Sequence, residues 1–130
     1  AGGKGMSASR ANPLREDRDA ILRFARFNRE AAPNIMVKIP VTPDGLLAIE
    51  ELAAERVPIN ATEVMSVRQT LDVCEVYTRA IRGLLPAPLY FSHIAGIFDE
   101  YIAKVAVRDG VDIPKDYLWQ AGIAVAKKID

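Results

Sequence analysis

Asn34-Ile35-Met36-Val37-Lys38-Ile39-Pro40, followed almost at once by Thr42-Pro43-Asp44-Gly45, reads as a strand that runs into a helix. The strand over 35–39 is apolar on both faces except at Lys38, the pattern of a sheet buried on both sides. Pro43 suits a first helical position, where its missing donor is harmless. Leu46, Leu47, Ile49, Leu52 and Ala53 then supply the apolar side of a helix that ends near Arg56.

The same alternation extends outward in both directions. Upstream, a short strand about Gly5 to Ser9 leads through Pro13 into a helix carrying Ala20, Ile21, Phe24, Ala25 and Phe27, which Pro33 ends. Downstream, a strand over 57–62 gives way at Ser66 to a longer helix. Val67, Leu71, Cys74, Val76, Ala80, Ile81 and Leu84 are its expected inward face, and Gly83 and Pro86 stop it. A fourth strand over 89–94 and helices over 97–107 and 117–128 complete the chain. Strands alternating with helices predict an α/β fold with a parallel sheet, in one domain over 1–130. Right-handed crossovers gather the C-terminal strand ends on one side, where α/β proteins place their ligands. Lys38, Asn60, Thr62 and Ser92 fall at or near those ends.

Composition narrows the partners. Half of the 130 residues are hydrophobic and a quarter charged, which describes one soluble globular unit. Seventeen basic residues balance seventeen acidic ones, so no long-range field attracts nucleic acid or an anionic membrane. Neither partner is expected. No apolar run reaches the roughly 18 residues that span a bilayer, and the opening residues lack a signal peptide's apolar stretch. The single cysteine, Cys74, is read as a packed thiol in a helix, which fits a reducing, cytoplasmic compartment.

The chemistry centres on Lys38. A lysine buried in a sheet loses hydration of its ammonium form, which lowers its pKa from about 10.4 and frees an amine able to attack a carbonyl. The duller reading is an edge-strand lysine that snorkels to solvent. The spacing to Asn60-Ala61-Thr62 favours the chemical one. That triplet also fits a glycosylation sequon, a chance match in a strand of an unexported chain. His93 is expected to be a hydrogen-bonded structural residue, with no second ligand at metal spacing. Asp99 and Glu100 point apart on a helix and are expected on a solvated face. Arg23, Arg26 and Arg29 form a basic stripe offset by Glu16, Asp17 and Glu30, and a solvent-facing surface suffices for them.

Val37-Lys38-Ile39-Pro40-Val41-Thr42-x-Asp44-Gly45-Leu46 and Pro58-Ile59-Asn60-Ala61-Thr62, at this separation, resemble the central strands of the transaldolase and fructose-6-phosphate aldolase family. Weaker similarity runs back to Ser7 and forward through Phe91-Ser92-His93-Ile94-Ala95-Gly96. The resemblance implies a TIM (β/α)8 barrel, of which this chain holds about the third to sixth strands with flanking helices. It implies that Lys38 is the Schiff-base nucleophile, that Asn60 holds substrate hydroxyls, and that Thr62 helps hold a catalytic water. Ser92 would line the donor or phosphate end of the pocket. The substrate would be a sugar or sugar phosphate. The iminium is its own electron sink, so no metal or other cofactor is implied.

Several positions depart from the family pattern. Ile97 stands where the family commonly has a phosphate-binding arginine, and an aliphatic side chain cannot supply that planar fork. Ser9, or else Ser7, is expected in place of the acidic or amide residue of the family's third strand. The first-strand aspartate has no counterpart in these residues. Acid–base assistance contributes about a hundred- to ten-thousand-fold, so little turnover is expected from these residues alone. A complete barrel needs about 250 residues. The chain is therefore expected to be a fragment with open strand edges, forming a homo-oligomer or associating with the missing barrel segments. Two alternatives to an aldolase stand: a barrel relative that binds a carbonyl metabolite without turnover, and an assembly fragment with no activity of its own.

Overall fold

The helices after the first three strands start at polar side chains that accept a hydrogen bond from the helix's first turn. Asp17 Oδ1 accepts from the Ala20 N–H at 2.9 Å, Thr42 Oγ1 from Gly45 at 3.0 Å and Ser66 Oγ from Gln69 at 3.2 Å. Each cap satisfies a donor that the helix itself cannot. A computed structural model describes residues 5–10 and 15–130. In chain order its elements are β1 (Ser7–Arg10), α1 (Arg18–Ala31), β2 (Ile35–Pro40), α2 (Pro43–Ala54), β3 (Ile59–Val64), α3 (Val67–Ala80), β4 (Leu89–His93), α4 (Gly96–Asp109) and α5 (Lys115–Ile129). The expected passage through Pro13 lies outside the described residues.

All strand pairings are parallel, in the order β1-β2-β3-β4. Sequential parallel strands joined by helices, with none inserted between them, make the α/β partial barrel that the sequence predicts. The core lies between the sheet and its helices. It is built from Ile21, Leu22 and Ala25 of α1, Ala48, Ile49, Leu52 and Ala53 of α2, Val73 and Tyr77 of α3, and Val37, Ile39, Ile59, Ala61 and Val64 of the strands. Tyr77 donates its hydroxyl to the Ala87 carbonyl ahead of β4, and burial raises the pKa of that hydroxyl.

Several faces differ from expectation. The buried side of α3 is Val73 and Tyr77, while Val67, Leu71 and Leu84 are exposed, and so is Cys74, expected as a packed thiol. The sequence run is apolar on two sides of the helix, and packing against α2 selects the Val73 side. Phe27 and Leu47 likewise face outward. Arg26 reaches Glu51 on α2 and Glu55 at its C-cap instead of answering to Glu30 on its own helix, and Arg79 of α3 pairs with Glu50. Asp99 is half-buried with Oδ1 sealed from solvent, not on a solvated face; Glu100 is exposed. The first turn of α4 is closely approached by α5, where a Cβ on Gly122 would lie 2.2 Å from the Ala95 carbonyl oxygen.

Candidate active site

Side chains alternate across a strand, so register decides which residues share a face. Lys38 pairs with Asn60, Asn60 with Tyr90, and Arg10 with Lys38. One row on the face away from the helices is therefore Arg10, Lys38, Asn60 and Tyr90. Pro40 pairs with Thr62, which puts Thr62 one step nearer the C-terminal ends on the same face. Ser92 reaches back to this row, its hydroxyl donating to Asn60 Oδ1 at 2.8 Å. The four residues singled out from the sequence thus share one face, although Asn60 is only the second residue of its strand.

Lys38 is half-buried, less than the full burial expected. On the same face Met36 and Pro40 are buried. Thr62 is buried, at 3% exposure, and Tyr90 is 48% exposed.

Register also corrects the identity of the residue beside Lys38 on β1. Ser7 and Ser9 fall on the opposite face, and Arg10 occupies the row. Its guanidinium lies 2.6 Å from Glu16 and 2.7 Å from Glu63, and the Glu16 hydrogen bond leads in raising its pKa. Arg10 is thus a permanent positive charge one strand from the lysine, with two carboxylates answering it.

Glu63 sits in the break between Ala61 and Val64 in the β3–β4 ladder. Ala61 pairs with Phe91 but Val64 with His93, so β3 carries one extra residue there, a bulge. Glu63 absorbs it with φ of 60°, a left-handed conformation costing a non-glycine residue of order 1–3 kcal/mol. The bulge turns Val64 back into the helix-covered core and leaves Thr62 on the lysine's face. It also extends β3 two residues past its expected end. The carbonyl of Glu63 accepts from Gln69 Nε2 at 3.2 Å.

The remaining sequence candidates lie elsewhere. His93 is on the helix-facing side of β4, half-buried and away from the row, its Nδ1 3.9 Å from Asp130, too far for the hydrogen bond expected of it. Ile97 is in the first turn of α4 and half exposed. A cleft of about 510 Å³ lined by Arg29, Arg56, Pro58 and Pro86 sits at the opposite strand ends and includes none of the row. Arg10, Tyr90 and Gln69 were not found by sequence reasoning. Gln69 had a legible signal, since Ser66-x-x-Gln69 is a capping box; Arg10 and Tyr90 needed the register.

A parallel βα sheet that turns an amine, an amide and two hydroxyls toward one face defines a (β/α) barrel segment with a candidate carbonyl-binding row. The family model described as Transaldolase/Fructose-6-phosphate aldolase matches residues 10–129, and the chain belongs to that family. It is 31% identical over 97 residues to a transaldolase of Neisseria gonorrhoeae, covering 75% of this chain and 28% of that protein. Over 113 residues it is 32% identical to a probable transaldolase of Dehalococcoides mccartyi, covering 85% and 48%. A 55-residue stretch is 42% identical to a probable transaldolase of Aquifex aeolicus, covering 42% and 25%. The chain spans about a quarter to a half of the length of these relatives. No helix among the described residues is long and apolar enough to cross a membrane.

Proposed function

We propose that these residues supply the Schiff-base wall of a transaldolase-like class I aldolase site, acting on a sugar or sugar phosphate. The observation that carries the reading is the row itself. Asn60 is in register with Lys38 and tied by Ser92, in a chain that belongs to this family.

In this reading the Lys38 amine adds to a ketose carbonyl and water leaves, giving an iminium. Breaking the C3–C4 bond sends its electron pair into the iminium to form an enamine. The C4 hydroxyl gives up its proton and departs as an aldehyde. The enamine then adds to an acceptor aldehyde, and hydrolysis of the resulting iminium releases a new ketose, or it is protonated, and hydrolysis releases the three-carbon ketone; either way the Lys38 amine is regenerated. Asn60 both donates and accepts, which suits substrate hydroxyls. Thr62 has the position to hold a water for the proton transfers, and Ser92 fixes the Asn60 amide.

A second reading is favoured by Arg10. A cation in place of the family's strand-three acid or amide, together with Ile97 in place of the arginine, fits a relative that binds a carbonyl metabolite without turnover. In either case β1 and β4, which end the strand order among the described residues, favour association with further βα units or a second copy.

Borohydride trapping tests the chemistry, using fructose 6-phosphate and, separately, dihydroxyacetone on the complete polypeptide that carries these residues. A stable adduct mapped to Lys38 is expected; its absence defeats the Schiff-base mechanism. Preference for dihydroxyacetone would trace to Ile97. An adduct without aldol cleavage would favour the second reading.

A further inference from the structure

Gln69 makes more bonds than a helix cap needs. Its Oε1 accepts from the Met65 N–H at 2.9 Å and the Ser66 hydroxyl at 3.2 Å, which is cap work. Its Nε2 is turned the other way, donating to the Val41 carbonyl at 3.1 Å and the Glu63 carbonyl at 3.2 Å. The partners fix the amide's orientation, because two carbonyls can only accept and a backbone N–H can only donate. Val41 is three residues past Lys38, and Glu63 is the left-handed residue directly after Thr62. The Val41 N–H in turn donates to the Thr62 carbonyl at 3.0 Å. One side-chain amide therefore joins the segment leaving the lysine strand to the bulge that fixes the facing of Thr62.

We propose that Gln69 is a positioning residue for Thr62: its Nε2 holds the Glu63 bulge and thereby sets the Thr62 hydroxyl relative to Lys38. The inference rests on the reading of Lys38 as the amine and Thr62 as the holder of the proton-transferring water. It assigns Gln69 to the proton-transfer step and not to iminium formation, which needs only the lysine and the carbonyl.

Two substitutions separate this role from capping. Gln69→Glu keeps an oxygen for Met65 and Ser66 but loses the two donors; Ser66→Ala weakens the cap and leaves the donors in place. In the complete polypeptide, borohydride trapping of dihydroxyacetone reads iminium formation. Exchange of its carbon-bound hydrogens in D2O reads proton transfer, in which a C–H bond breaks into the enamine and a C–D bond forms with deuterium from solvent. Gln69→Glu is expected to trap within about twofold of the parent while its exchange falls about ten- to a hundredfold, the scale of a misplaced group. Ser66→Ala is expected to lower the melting temperature and leave exchange near the parent's. If Gln69→Glu fails to fold, Gln69→Met, which loses the donors and the cap oxygen together, is read against Ser66→Ala, and the same fall in exchange is expected in Gln69→Met alone. Exchange preserved in the Gln69 variant overturns the proposal. So does an equal fall of trapping and exchange, or a loss in Ser66→Ala as large as that in Gln69→Glu. A parent that gives no Lys38 adduct overturns the Schiff-base reading itself, and this inference with it.

Discussion

On the helix-covered side of the sheet, Val37, Ile39, Ile59, Ala61 and Val64 are at most 1% exposed; on the other side, Lys38, Asn60 and Ser92 are only partly covered. The same strands build both faces. On the first, area removed from water stabilises the fold at roughly 25 cal/mol per Å². On the second, polar groups are held by register and by each other, and they add chemistry more than stability. Neighbouring residues of one strand should therefore fail in different ways.

Lys38 and Ile39 give the largest contrast. Lys38→Met should abolish borohydride-trapped adduct entirely while leaving the free energy of urea unfolding within the range of a surface change, about 0.5 kcal/mol. Ile39→Ala should cost about 2–5 kcal/mol in urea unfolding, because its site is closed and leaves a cavity. Equal stability losses in the two variants would erase the distinction between the faces.

Gly45 probes where the faces meet. A Cβ there would lie 1.9 Å from the carbonyl oxygen of Pro40, the residue that ends the lysine strand. Gly45→Ala is expected to cost about 1–3 kcal/mol by overpacking, outweighing the about 1 kcal/mol that alanine gains over glycine in a helix. Denaturant unfolding measures it, and a stabilised variant would show that the strand end yields freely.

Ser92→Ala should raise the Michaelis constant for a sugar substrate about two- to tenfold, the worth of one hydrogen bond, with stability little changed. An unchanged constant would remove Ser92 from the row's function.

The smallest effect belongs to the outer surface. Arg79 hydrogen bonds hold the Glu50 carboxyl below its usual range. A depressed carboxylate contributes stability above its unfolded pKa and loses it as pH falls through the folded value. The small melting-temperature advantage of the parent over Arg79→Met at pH 7 should thus start to shrink as pH falls below the ordinary glutamate range and vanish once pH is below the depressed value of Glu50. A gap that persists in acid would rule out this pair as its source.

The fold was legible because strand and helix periods differ and the caps Thr42 and Ser66 are explicit in the chain. Phase around a helix was less so. The α3 run offers apolar residues on two sides, and only its packing partners decide between Cys74 and Val73. That Lys38, Asn60, Thr62 and Ser92 would fall on one face was legible through spacing within a known pattern. Arg10 was not, because one residue of register separates it from Ser9 and exchanges the faces. The Glu63 bulge left no sequence mark, since glutamate is not a residue that left-handed backbone favours.

Pro40 carries a consequence for how the sheet comes apart. Along β2 the odd-numbered N–H groups turn to β3, as Val37 to Pro58 and Val41 to Thr62 show, so position 40 would donate toward β1. Proline has nothing to donate, so β1 receives no hydrogen bond from position 40, whereas β2 still donates to β3 through Val41. The two seams of the lysine strand are thus unequally stitched, and amide hydrogen exchange should find the β1 seam opening before the one between β2 and β3.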